Sequence, residues 1–253
     1  MKIKLISCEA FYRELCMAVA KSPHVFDIEF LPFGLHDTPD QLRVEIQKEI
    51  DASENGKYDY IVLGYGLCSR GTADIKARSV PIVVPRMHDC ITAFLGSRKR
   101  YDEEFGSHPG TYYYTAGWIE RKDGEAEQGM VEERYTKLYE AKLKEYVEKY
   151  GEENAEFLME QEKQWLANYN RAAFINLGIG DVKTYRAFTQ GLATERGWDY
   201  AEIEGDNTLI DSLANGNWDA DIFLKVEPGQ TIAESFDELI IRATVNHELN
   251  SDN

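Results

Sequence analysis

Asp59-Tyr60-Ile61-Val62-Leu63-Gly64-Tyr65-Gly66-Leu67-Cys68-Ser69-Arg70 is the stretch that decides the fold. Its first part, residues 59–65, is a short β-rich run that is apolar on both faces. A strand reads this way when helices cover both sides of a parallel sheet. A second run of the same kind, SVPIVVP from Ser79, follows soon after.

Strand and helix signals alternate outward from this pair. Residues 2–7 (KIKLIS) read as a strand, and residues 9–21 spread Phe11, Leu15, Met17 and Val19 at helical spacing before Ser22-Pro23. Residues 26–32 alternate like a strand with one solvated face. Thr38 as cap, Pro39 in the first turn and Gln41 three residues on predict a helix to about Ala52. The aromatic run from Gly110 to Trp118 alternates like a strand and is a candidate pocket wall. Later come strands at 172–177 and in DYAEIEG, helices to about Arg196 and over 207–215, and a strand at 221–226. Between 120 and 165 the chain is dense in Glu, Lys and Tyr. Leu138, Ala141, Leu143, Tyr146 and Val147 fall at helical spacing there, which predicts two helices broken near Gly151.

The expected fold is therefore α/β, with two Rossmann-like parallel-sheet lobes. Residues 1–120 form the first and residues 171–253 the second, joined by a helical insert over 121–170.

The formal net charge of −17 on 253 residues argues against nucleic acid or an anionic membrane as partner, because both would repel the chain. No apolar stretch reaches membrane-spanning length, and the N-terminus turns polar too soon for a signal peptide, so a cytoplasmic location is expected. All four cysteines, Cys8, Cys16, Cys68 and Cys90, lie in the first ninety residues. In a reducing compartment such clustering favours a metal or a reactive thiol over disulfides.

Ligands of parallel α/β sheets bind at the carboxyl ends of the strands. Cys8 follows the first strand, Cys68 the run ending near Tyr65, and His88 and Cys90 the run ending near Pro85. Cys16 falls mid-helix among apolar residues and reads as core. Thiols and an imidazole on three turns make a soft ligand set suited to zinc or iron. An iron–sulfur cluster is compatible with it, although no compact cysteine spacing demands one. Three ligands would leave a position open for a substrate, and four would close the site. In this reading Cys8, Cys68, His88 and Cys90 are the metal ligands, Asp89 orients them or acts as a base, and Arg86 holds an anionic substrate. Gly64, Gly66, Ser69 and Arg70 would shape a cofactor- or anion-binding turn, with Arg98 and Arg100 nearby. The turn is a near miss to a dinucleotide fingerprint, since Gly71 comes one residue late.

Two other readings stand beside it. Cys68, on a turn before a helix, would be a nucleophile activated by the helix N-terminus, with His88 as its base and Asp89 orienting. Alternatively, the protein binds a small anion or a corrinoid fragment without chemistry.

GYGLC, PRMHDCITAFLGS and GTYYYTAGWIE, with the later EGDNTLIDSLANGNWD and PGQTI, resemble the family catalogued as domain of unknown function 1638. The resemblance covers most of the chain, and its motif positions fall on Gly64, Gly66, Cys68, Arg86, His88, Asp89 and Cys90. It implies a setting among anaerobic archaea and bacteria, in one-carbon or methylamine metabolism beside corrinoid methyl-transfer partners. It supplies no reaction. The substrate it implies is a small molecule, either anionic or carrying a thiol or methyl group.

Overall fold

The computed structural model describes residues 1–53, 56–121, 143–144, 146–152, 154–155, 157–158 and 168–245. Strands β1 (Lys2–Cys8), β2 (Val25–Leu31), β3 (Tyr60–Gly64) and β4 (Ile82–Pro85) form a parallel sheet in the order β2-β1-β3-β4. The alternation of side chains explains why β3 and β4 are apolar throughout. Ile61, Leu63, Ile82 and Val84 face one side, where helix α2 (Pro39–Ala52) brings Leu42, Ile46 and Ile50. Val62 and Val83 face the other, against Leu15 of α1 (Tyr12–Lys21) and Phe94 of α3 (Cys90–Leu95). Each helix shows the sheet an apolar stripe, so both faces are dry.

A second sheet, β5 (Thr111–Tyr114), β6 (Arg171–Asn176) and β7 (Asp199–Glu204), is also parallel. The α/β expectation with two parallel sheets therefore holds. Helix α4 (Arg98–Ser107) precedes β5 and α5 (Ala116–Glu120) follows it. Helix α6 (Val182–Arg196) crosses from β6 to β7, and α7 (Thr208–Asn215) leads back to the first sheet.

Sheet membership crosses the expected boundaries. Strand β5, placed with the first lobe by sequence, pairs in the second sheet. Strand β8 (Phe223–Val226), placed with the second, adds antiparallel to β4. A hairpin of β9 (Gln230–Glu234) and β10 (Ile241–Val245) then packs Ile232 and Ile241 over the α2 side. Of the expected insert, residues 146–150 are helical, Gly151 breaks the helix at φ +80°, and helix resumes at 152. Leu138 and Ala141 lie outside the described residues.

Two local expectations are corrected. The Thr38 side chain does not cap α2; its hydroxyl donates back to the Leu35 carbonyl. No helix follows Cys68, because residues 68–74 are turns.

From β1 the chain runs to β2 on one side and then crosses back to β3 on the other. A crevice opens at the carboxyl ends where the order reverses, which is where such sheets bind ligands.

Candidate functional site: a thiol-lined pocket

A pocket of about 460 Å³ fills that crevice, and Cys8, Cys68, His88, Asp89 and Cys90 all line it. Three strand ends thus deliver three thiols to one place, as the spacing implied. Cys16 lies on α1 and is not among the lining residues.

Each thiol is fixed by its own backbone. Cys8 ends β1, and its sulfur accepts the Ala10 N–H at 3.4 Å, capping the short 3-10 turn at Glu9–Phe11. Cys90 opens α3 behind its cap Asp89, whose carboxylate accepts the Ile91 N–H at 3.0 Å and the Tyr101 hydroxyl at 3.1 Å. Cys68 begins a left-handed stretch: Cys68, Ser69 and Arg70 take φ of 46°, 53° and 71°. Such torsions cost non-glycine residues about 1–2 kcal/mol each, so the turn must be held from outside. It is held by the β4 turn, where the carbonyls of Met87 and His88 accept the N–H groups of Leu67 and Cys68, both at 2.8 Å.

Gly64 and Gly66 serve close approach rather than backbone freedom, since neither takes a positive φ. A Cβ on Gly64 would sit 2.2 Å from Ser7 Oγ, and one on Gly66 would sit 2.6 Å from the Met87 carbonyl. They are glycine so that three strand ends can close up.

The electrostatics follow from this crowding. Burial, and then the neighbouring Cys8, push the Cys68 thiol up to about 12. Burial raises Cys90 well above the ordinary thiol range, with Asp89, Cys68 and Cys8 adding to it, while the Trp118 indole N–H opposes. Burial also raises the Asp89 carboxyl. Among the described lining residues there is no lysine, and Arg70 is paired with Glu234 at 2.7 Å. Turns at 68–74 stand where a helix was expected, so Cys68 does not open a helix of its own.

The anion-binding arginines are also placed differently from the expectation. Arg86 is 9 % exposed and turned away from the pocket. Its guanidinium donates to the carbonyls of Ala220 (2.9 Å), Leu239 (3.2 Å) and Ile241, tying the β9–β10 hairpin to β4. Arg98 donates to the carbonyls of Glu238 and Asp221, and Arg100 to those of Leu95 and Glu204. Carbonyls near these turns took up the guanidinium donors, which a linear sequence does not display. His88 sits at the exposed lip of the pocket.

Sequence reasoning missed the walls. Phe11, Phe33, Leu35 and Leu67 make most of the pocket apolar, and Glu234 arrives from β9. Trp118, flagged within the aromatic run, does line it. It can do so because a Cβ on Gly117 would lie 1.9 Å from the Ala10 carbonyl, so glycine alone lets α5 sit against the 3-10 turn. Tyr65 was read as the end of a strand. It is 3 % exposed, lines the pocket and has a hydroxyl with no hydrogen-bond partner in the structure. The signal for it was its position between two glycines at a strand end.

Fold and pocket together define an α/β protein with a thiol-lined pocket at the carboxyl edge of a parallel sheet. Its family is established by sequence: a family model described as a protein of unknown function, DUF1638, matches residues 30–214, and the chain belongs to that family. The match includes Cys68, His88, Cys90 and Trp118, while Cys8 and Glu234 lie outside it. No curated protein and no solved structure matches the chain. Among the described residues, no helix is long and apolar enough to cross a membrane.

Proposed function

We propose that the pocket is a metal-dependent small-molecule site in which Cys8, Cys68 and Cys90 hold a zinc or ferrous ion. The observation that carries this reading is three thiols converging from three strand ends with no unpaired arginine or lysine among the described lining residues to stabilise a thiolate. Such thiols stay protonated until a cation arrives, and a bound metal ion deprotonates its thiol ligands outright. The same observation disfavours the metal-free nucleophile.

Among the described residues, no three His, Cys, Asp or Glu side chains are already grouped tightly enough to hold an ion. In this reading the sulfurs close in by rotation about χ1, the one torsion that moves a cysteine sulfur. A thiolate-held ion with an open position supplies Lewis acidity toward a substrate sulfur or oxygen. The chain's own residues do the rest. Asp89 and Tyr101 fix the Cys90 turn, Trp118 leans on the Cys90 sulfur, His88 guards the lip, and the apolar wall excludes water. The substrate we assign is small and carries a thiol or methyl group, in keeping with one-carbon chemistry beside a corrinoid methyl-transfer partner.

Titrating Co²⁺ into the chelator-stripped protein under anaerobic conditions tests the ligand set. A thiolate-to-cobalt charge-transfer band should form at one equivalent and weaken in each of Cys8→Ser, Cys68→Ser and Cys90→Ser. A band indifferent to all three substitutions, or none, would refute the assignment.

A further inference from the structure

The pocket also carries information about the charge of what it binds. The charged lining residues described are Arg70, Glu234 and Asp89, with His36 and His88 besides. Arg70 is used up by Glu234, which leaves Asp89, held by the Ile91 N–H and the Tyr101 hydroxyl, as the lining acid with no arginine or lysine beside it on the described lining. The other arginines near these turns are committed to backbone carbonyls. An anion entering would meet an acidic site in an acidic chain, with apolar walls that cannot solvate it.

Two buried donors on the lining lack a hydrogen-bond partner, the Tyr65 hydroxyl and the Trp118 indole N–H; the indole leans on the Cys90 sulfur, which leaves Tyr65 for a ligand. Its hydroxyl is buried and unpartnered beside Cys8 and Cys68, an arrangement that native interiors rarely leave uncompensated. Phe11, Phe33 and Leu67 offer that hydroxyl no acceptor.

We propose that the pocket takes an uncharged, largely apolar ligand bearing one hydrogen-bond acceptor, and that Tyr65 is the residue that selects it by donating to that acceptor next to Cys8 and Cys68. This rests on the pocket being a small-molecule site and is independent of the metal. A site built around one buried donor rejects an analogue lacking the acceptor, because the donor is then left unpaired.

The test uses two alkylating probes of similar size on the chelator-stripped protein, uncharged iodoacetamide and anionic iodoacetate. Peptide mass spectrometry reads the rate at each cysteine. The ratio of the two rates cancels the thiolate fraction, so it reports the pocket and not the thiol. Relative to the unfolded chain, the iodoacetamide-to-iodoacetate ratio at Cys68 should rise about tenfold or more. Tyr65→Phe should slow iodoacetamide at Cys68 by between about twofold and tenfold, the range of one neutral hydrogen bond, with Cys16 unchanged. Because it removes an unpartnered hydroxyl, Tyr65→Phe should melt no lower than the parent, whereas a structural tyrosine would lose stability. A ratio equal to that of the unfolded chain, or an unchanged rate at Cys68 in Tyr65→Phe, overturns the proposal. Metal content, measured separately, decides the other reading.

Discussion

Replacing Arg86 separates a structural guanidinium from an anion-binding one. Arg86→Met keeps much of the side-chain volume and removes all donors. The Ile241 carbonyl is then left buried without its partner, at a cost of about 2 kcal/mol within the 1–3 kcal/mol typical of an unsatisfied group. The carbonyls of Ala220 and Leu239 are partly buried and can recruit water, so each adds roughly 0.5–1 kcal/mol. The sum is about 3–4 kcal/mol. For a chain of this size that corresponds to a fall in Tm of roughly 6–16 °C, read by calorimetry and by the urea midpoint. Arg86→Lys, which can reach fewer carbonyls, should fall between the two. The alkylation ratio at Cys68, measured well below the new Tm, should match the parent. A Tm within about 2 °C of the parent together with a changed ratio would refute the reasoning and return Arg86 to the ligand.

Glu14 is 1 % exposed with neither carboxylate oxygen partnered, and burial raises it from 4.5 to about 7. A folded-state pKa above the unfolded one adds stability below pH 4.5 that is lost as pH rises through 7, about 3 kcal/mol in all. Glu14→Gln should therefore raise the urea midpoint at pH 8 and change it little at pH 5, and equal shifts at both would count against this. In metal-free protein, Cys68 alkylation should climb about tenfold per pH unit from pH 8 to 11, since the thiol titrates near 12. A plateau near neutral pH would revive the nucleophile reading. Gly117→Ala should lower stability by about 1–3 kcal/mol and distort the pocket, because its Cβ meets the backbone carbonyl of Ala10 at 1.9 Å and a backbone cannot rotate aside. A neutral result in thermal melts would mean that α5 is free to move.

Local pattern carried the strands well. Ile61 to Gly64 and Ile82 to Pro85 read as buried parallel strands because both faces had to be apolar. From there the carboxyl-edge rule placed Cys8, Cys68 and Cys90 together. The partners of β5 and β8 were not legible, because pairing depends on contacts far apart in sequence that periodicity does not encode. The arginines misled for a related reason. A guanidinium in sequence looks the same whether it faces a ligand or, like Arg86, three carbonyls more than a hundred residues away. Tyr65 was hidden because an orphaned hydroxyl is a property of its surroundings.

The central claim is that three thiols of this pocket share an ion. Elemental analysis of anaerobically purified protein, beside a Cys68→Ser, Cys90→Ser double variant of confirmed fold, tests it most directly. The account predicts near one equivalent of zinc or iron in the parent and almost none in the variant. A parent free of metal, or a variant that keeps its metal, would contradict it.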